Sequence, residues 1–227
     1  MKHYIISGSS RGIGFEIVKQ LLNNGDKVIA ISRNTNQLNA LNHEGLKVVE
    51  MDLSEKQPFK TLNSLVETFF NSTIDVVLYN AAVLKATPFE ETTLSDWKFT
   101  YNTNVFGAVQ ILQFAKPFLV NGSKVWFVSS MGGIQGSQKF PGLSAYSSSK
   151  AALINIAECL AEEWKNDGVS VNTFALGAVN TEMLNEAFPG YQAQVEANEM
   201  AEFMIENMNF SNKFMNGKTI QVSSTTP

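Results

Sequence analysis

Two side chains four residues apart are where the chemistry of this 227-residue chain starts: Tyr146 and Lys150, in Tyr146-Ser-Ser-Ser-Lys150. On a helix that spacing puts both on one face. A free phenol titrates near ~10, too high for a base at neutrality, and an ammonium beside it would stabilise the phenolate and lower that value. Together they could pass a proton to or from a carbonyl or alcohol oxygen. An exposed helix can carry such a pair by chance, so the surroundings decide. Upstream, Val125-Trp-Phe-Val-Ser129-Ser130-Met-Gly-Gly133 is an apolar run ending in serines. Ser130 could hydrogen-bond the oxygen that Tyr146 protonates, with Ser129 and Ser144 as rivals. Asn104, in Asn104-Val-Phe-Gly107, places an amide inside a helical stretch.

A second constellation is Ser7-Gly8-Ser9-Ser10-Arg11-Gly12-Ile13-Gly14, between an apolar run and a helical pattern. Small residues let backbone approach a pyrophosphate, and a helix N-terminus offers unpaired N–H groups and a positive dipole end. Gly14 would let the helix pack against a sheet. A ligand-free strand-to-helix turn could use the same glycines; the strand before and the helix after argue for a dinucleotide. A ribose-binding acid is expected at the end of the second strand in an NAD protein. Ile31-Ser32-Arg33-Asn34 has Ser32 there, followed by Arg33. With Arg11, two guanidiniums are available to one 2′-phosphate, which points to NADP(H) over NAD(H).

The elements that must position these groups follow from periodicity. Short apolar runs at Tyr4 to Ile6, Val28 to Ile31, Leu46 to Val49, Val76 to Tyr79, Val125 to Val128, Val169 to Ala175 and Thr219 to Val222 read as strands. Helical patterns run over Ile13 to Leu22, Thr35 to Leu41, from Pro58 in a first turn through Phe70, from about Thr93 past Asn104 toward Phe118, over Ser144 to Trp164 and over Glu196 to Asn207. Unbroken apolar strands suit a parallel sheet covered on both faces. The prediction is one α/β domain over residues 1–227: a Rossmann-type, doubly wound, parallel seven-stranded sheet with helices on both faces.

The spacing G-x-x-x-G-x-G, with Asn104, Ser130, Tyr146 and Lys150 in order, resembles the short-chain dehydrogenase/reductase family, and the resemblance spans Ile5 to about Val222. It implies that Asn104 orders a water on Lys150, that Lys150 also holds the nicotinamide ribose, and that hydride passes between nicotinamide and substrate carbon. It implies cofactor contacts at Gly8, Ser10, Arg11, Gly12, Ile13, Gly14, Arg33, Asp52, Leu53, Asn80, Ala81, Ala82, Tyr146, Lys150, Val179 and Thr181. Asp52 would meet the adenine amino group, Asn80-Ala81-Ala82 would lie under the adenosine ribose, and Val179 and Thr181 would hold the carboxamide. It further implies a homodimer or homotetramer, joined through the helices around Asn104 to Phe118 and Ser144 to Trp164. The expected activity is an NADP(H)-linked carbonyl reductase acting on a small carbonyl or alcohol; the alternative is an NADP(H)-binding sensor with the same fold.

Departures from the family pattern are local. Tyr79 and Ala82 replace an Asn and a Gly, and Leu176 replaces a proline, so the loop toward Val179 should be less rigid. The stretch between Ser130 and Tyr146 is long and should bulge over the substrate pocket. Met183, Leu184, Phe188, Pro189 and Tyr191 are either a substrate lid or a cover for the core. The C-terminal strand lacks trailing glycines and runs into Ser-Ser-Thr-Thr-Pro227.

Composition bounds the partners. Apolar residues make up 44% of the chain, enough for a substantial core, and the net charge of −4 with no basic run argues against nucleic acid or an anionic membrane surface. Cys159 stands alone, and His3 and His43 lack partners at metal-ligand spacing, so neither a disulfide nor a metal is expected. No run has the length of a signal core or membrane span, which makes the cytoplasm the expected location.

Overall fold

A computed structural model describes residues 1–210 and 213–223; the last four residues of the tail lie outside the described residues. Seven strands form one sheet: β1 (His3–Ser7), β2 (Lys27–Ser32), β3 (Leu46–Glu50), β4 (Ile74–Tyr79), β5 (Leu119–Ser130), β6 (Ser170–Leu176) and β7 (Thr219–Val222). Their order is β3-β2-β1-β4-β5-β6-β7, and every pairing is parallel. The chain therefore winds outward twice, and the reversal falls between β1 and β4, where this architecture leaves a crevice at the carboxyl ends of the strands.

Alternation along each strand feeds two cores. Ile5, Val77, Tyr79, Val125 and Phe127 point to one face, covered by α3 (Lys60–Phe69), α5 (Gly107–Ala115) and α6 (Ser144–Glu163). Tyr4, Ile6, Val76, Leu78, Trp126 and Val128 point to the other, covered by α1 (Gly12–Asn23) and α8 (Ala197–Met208). Burial on both faces is why the strands read as continuous apolar runs.

Three local expectations are corrected. Pro58 lies outside its helix, which begins at Lys60 after Phe59 in the left-handed region (φ 51°); the Phe59 ring stacks on Phe114 at 5.1 Å, an anchor that periodicity does not reveal. The helix expected from Thr93 toward Phe118 is α4 (Leu94–Tyr101), a π-turn (Asn102–Phe106), α5 and a short 3-10 turn (Lys116–Phe118). Residues after Thr181, left without secondary structure by the sequence, form α7 (Glu182–Ala187), whose N-cap Thr181 accepts a hydrogen bond from the Leu184 N–H at 3.3 Å. The short α2 (Asn36–Ala40) completes the α-helices among the described residues.

Candidate active site

The glycine loop closes β1 onto α1. Gly8 has φ +68°, and a Cβ there would stand 2.4 Å from the Ala81 Cα. A Cβ on Gly14 would stand 2.3 Å from the Gly8 oxygen and 2.6 Å from Asn80 Nδ2. These glycines let Asn80 Nδ2 donate to the Gly8 carbonyl at 2.7 Å, locking the loop to the end of β4. Helix α1 opens with Arg11 as N-cap and no side-chain cap, so its first-turn N–H groups face the crevice as donors for an anion. Ser32 accepts from the Ser9 N–H at 2.9 Å, which occupies the place of a ribose-binding acid.

The crevice is a cavity of about 860 Å³. Every residue the sequence assigned to the site lines it except Asn104 and Gly14, which stand behind the wall. Arg11 and Arg33 both reach it, but Arg11 already pairs with Glu186 of α7, its Nη2 donating at 2.8 Å. No periodicity or motif signals Glu186. Arg33 lies by Asp52: burial raises that carboxyl, while hydrogen bonds from the Ser54 N–H and hydroxyl, with the Arg33 charge, bring it below the usual range. Asn36 and Gln37, missed by the sequence reading, also line this end.

At the other end stand Ser130, Tyr146 and Lys150. Of the three candidate serines, Ser129 donates to the Lys150 carbonyl at 2.8 Å and Ser144 begins α6 away from the cavity. Ser130 accepts from the Gly132 N–H at 3.2 Å and lies beside the Tyr146 phenol. Lys150 is 2% exposed; its Nζ donates to the Val128 carbonyl at 2.7 Å and lies 5.6 Å from the Tyr146 ring centre. Burial pulls its pKa down to about 7. The sequence reading expects Lys150 to lower the phenol. Here the phenol is instead raised to about 12, because burial penalises the phenolate and the Ser130 hydroxyl only partly offsets it.

Asn104 sits in the π-turn and is fully buried. Its Oδ1 accepts from the Val83 N–H at 2.8 Å; its Nδ2 donates to the Val83 carbonyl at 3.1 Å and to Ser149 Oγ at 2.9 Å. One Oδ1 lone pair is left for a water. The π-turn frees a carbonyl: the Gly107 N–H bonds Asn102, five residues back, and passes over Thr103. The Tyr79 hydroxyl donates to that Thr103 carbonyl. A Cβ on Gly107 would stand 2.4 Å from the Tyr79 oxygen, so the glycine makes room for the tyrosine. Tyr79, noticed in the sequence only as a departure, thus ties β4 to the segment carrying Asn104.

The other departures are accommodated. Ala82 lies outside the left-handed region, so glycine is not required there. Leu176 pairs with Ser130 on one side and Val222 on the other, and the Gly177 N–H bonds the Val222 carbonyl at 2.8 Å. The sheet, rather than a proline, pins the start of the loop to Val179. The long stretch after Ser130 folds back on itself, with Lys139 Nζ donating to Ser137 Oγ at 2.7 Å, and docks on Thr87, whose N–H bonds the Gly142 carbonyl at 3.0 Å. Phe140 and Leu143 from that stretch, and Met183, Leu184, Phe188 and Tyr191 from the α7 region, line the cavity, while Pro189 does not.

Known proteins agree with this architecture. The short chain dehydrogenase family matches residues 2–192. Oxidoreductase BOA17 of Botryotinia fuckeliana is 33% identical over 188 residues, covering 80% of this chain and 67% of its own. A short chain dehydrogenase of Burkholderia cenocepacia solved in complex with NADP superposes with a TM-score of 0.85 at 23% identity, over 98% of this chain and 96% of its own. A 4-hydroxyisoleucine dehydrogenase complexed with NADH gives a TM-score of 0.86 at 21% identity, over 98% and 97%. From the glycine loop on β1 to the Tyr–Lys pair on α6, this chain belongs to the short-chain dehydrogenase family.

Proposed function

We propose that this chain is an NADP(H)-dependent oxidoreductase that reduces small carbonyl compounds, with Tyr146 as proton donor. The observation that carries the reading is one cavity shared by an uncapped helix N-terminus, Arg11 and Arg33 at one end and Ser130, Tyr146 and Lys150 at the other. The residues fit a phosphorylated dinucleotide: α1 N–H groups and Ser10 for the pyrophosphate, Arg33 and Arg11 for a 2′-phosphate, Asp52 for adenine, Val179 and Thr181 for the carboxamide. A relative of this fold has been solved with NADP and another with NADH, and the arginines favour the former here. A bound nicotinamide would supply the hydride.

The chain's own groups supply the rest. With its phenol titrating at about 12, Tyr146 is protonated at neutral pH and is a donor to a developing alkoxide. Ser130 bonds the same oxygen and holds the substrate for that transfer. Lys150, titrating near neutrality, stabilises the phenolate left behind and passes a proton on to it, with a water at Asn104 Oδ1 as the route to solvent. A sensor would have no use for Tyr146 and Lys150. The unit is a single catalytic domain working in the cytoplasm as a homodimer or homotetramer; the exposed Phe106 lies in the Asn104 to Phe118 segment such an interface would use.

Thermal melts test the cofactor assignment. NADPH should raise the melting temperature more than NADH at equal concentration, a ligand at a hundred times its Kd being worth about 2.7 kcal/mol. Arg33→Ala should shrink the difference, and equal shifts with both nucleotides in the parent protein would sink the assignment.

A further inference from the structure

We propose that the site selects neutral, largely apolar carbonyl compounds and turns away those bearing a carboxylate or phosphate; this rests on the oxidoreductase reading above. The charged residues lining the cavity, among those described, are Arg11, Arg33, Asp52, Lys150 and Glu182. Four belong to the cofactor end. Arg11 is paired with Glu186, Arg33 lies by Asp52, and Glu182 lies by the glycine loop, its Oε2 3.5 Å from where a Cβ on Gly12 would be. The fifth, Lys150, is buried behind Tyr146 with its Nζ on the Val128 carbonyl.

Two further lysines are near in sequence to the wall, and neither lines the cavity. Lys139 donates to the Ile134 carbonyl and to Ser137, and Lys85 pairs with Asp96 at 2.7 Å. The rest of the described lining is uncharged, and its larger apolar members include Leu84, Met131, Phe140, Leu143, Leu184 and Phe188. Phe140 is 54% exposed and Tyr191 52%, so an aromatic rim faces solvent. An anionic group entering there would lose its hydration without gaining a counter-charge, whereas an alkyl or aryl body would gain apolar contact.

A matched pair of aldehydes reads this directly: methyl 3-(4-formylphenyl)propanoate and its free carboxylate share ring and carbonyl, two methylenes insulate the aldehyde from the terminal group, and the pair differs in charge. With NADPH, kcat/KM for the ester should exceed that for the carboxylate by at least about tenfold. Equal values, or a preference for the carboxylate, would overturn the proposal. Phe140→Lys puts a cation on the exposed rim, where folding tolerates it, and should narrow the gap by raising the carboxylate's kcat/KM. A gap unchanged by that substitution would mean that the substrate body does not lie against this rim, and would overturn the proposal as well. Quenching of NADPH fluorescence on the Tyr146→Phe protein measures binding without turnover. Selective quenching by the ester upholds the substrate class even if the parent protein reduces neither aldehyde, a result that would count against the oxidoreductase reading alone.

Discussion

The two ends of the cavity handle charge in opposite ways. At the glycine-loop end, charges stay in or near water: Arg11 pairs with the exposed Glu186, and Arg33 lies by Asp52. At the Tyr146 end, the charge-bearing side chain that lines the cavity among the described residues, Lys150, is 2% exposed, and burial brings its pKa down to about 7. Solvated charges suit recognition of an oppositely charged ligand, which in the function proposed above is the cofactor's phosphate. A buried amine is tuned by its surroundings, and so serves chemistry. On the proposed function, binding selectivity and reactivity are divided between the ends, and substitutions at each should leave the other readout largely alone.

The largest expected effect is at the reactive end. Tyr79→Phe removes the hydroxyl that satisfies the Thr103 carbonyl in the buried π-turn, and should cost about 1–3 kcal/mol of stability in chemical denaturation. If the turn positions Asn104 for proton supply, kcat should fall while KM for NADPH holds; a fall in NADPH affinity alone would break the division between the ends.

Next comes Lys150→Met. Burial depresses the lysine from its ordinary value of about 10.4 to about 7, so the folded state binds fewer protons than the unfolded state between those values. The resulting destabilisation is complete below pH 7 and disappears as pH rises toward the unfolded value. Cofactor-free Lys150→Met should then melt above the parent at pH 6, by a few degrees per kcal/mol relieved, with the advantage shrinking by pH 10. A constant difference across that range would show that Lys150 is not held near neutrality.

The smallest effect belongs to the solvated end. Glu186→Gln should release Arg11 and tighten NADPH by about fivefold or less, because exposed ion pairs are weak. NADH affinity should stay put. A comparable gain for both nucleotides would mean that Arg11 does not meet the 2′-phosphate.

How much of this could be read from residues follows the same physics. Sheet and helix layers were legible because strands buried on both faces carry near-continuous apolar runs, and Tyr146, Lys150, Ser130 and the glycine loop were legible because their spacing is local. What was not legible depends on contacts between distant segments. Glu186 meets Arg11 across 175 positions, and Tyr79 reaches Thr103 across 24. The direction of the Tyr146 shift depends on packing for a related reason: spacing puts an ammonium nearby, but only the fold shows that the phenol is buried, and burial penalises the phenolate. The π-turn was hidden because the poor helix formers of Asn102 to Phe106 do not by themselves tell a π-turn from an α-helical turn, and its extra residue is seen only in the backbone bond from Gly107 to Asn102.

The central claim, that Tyr146 is the proton donor in a site that binds the cofactor independently of it, is tested most directly by comparing NADPH-saturated parent and Tyr146→Phe proteins on one neutral aldehyde. The account predicts that Tyr146→Phe loses at least about a hundredfold in the rate of NADPH oxidation, with NADPH affinity within about twofold of the parent. Undiminished turnover by Tyr146→Phe would contradict it.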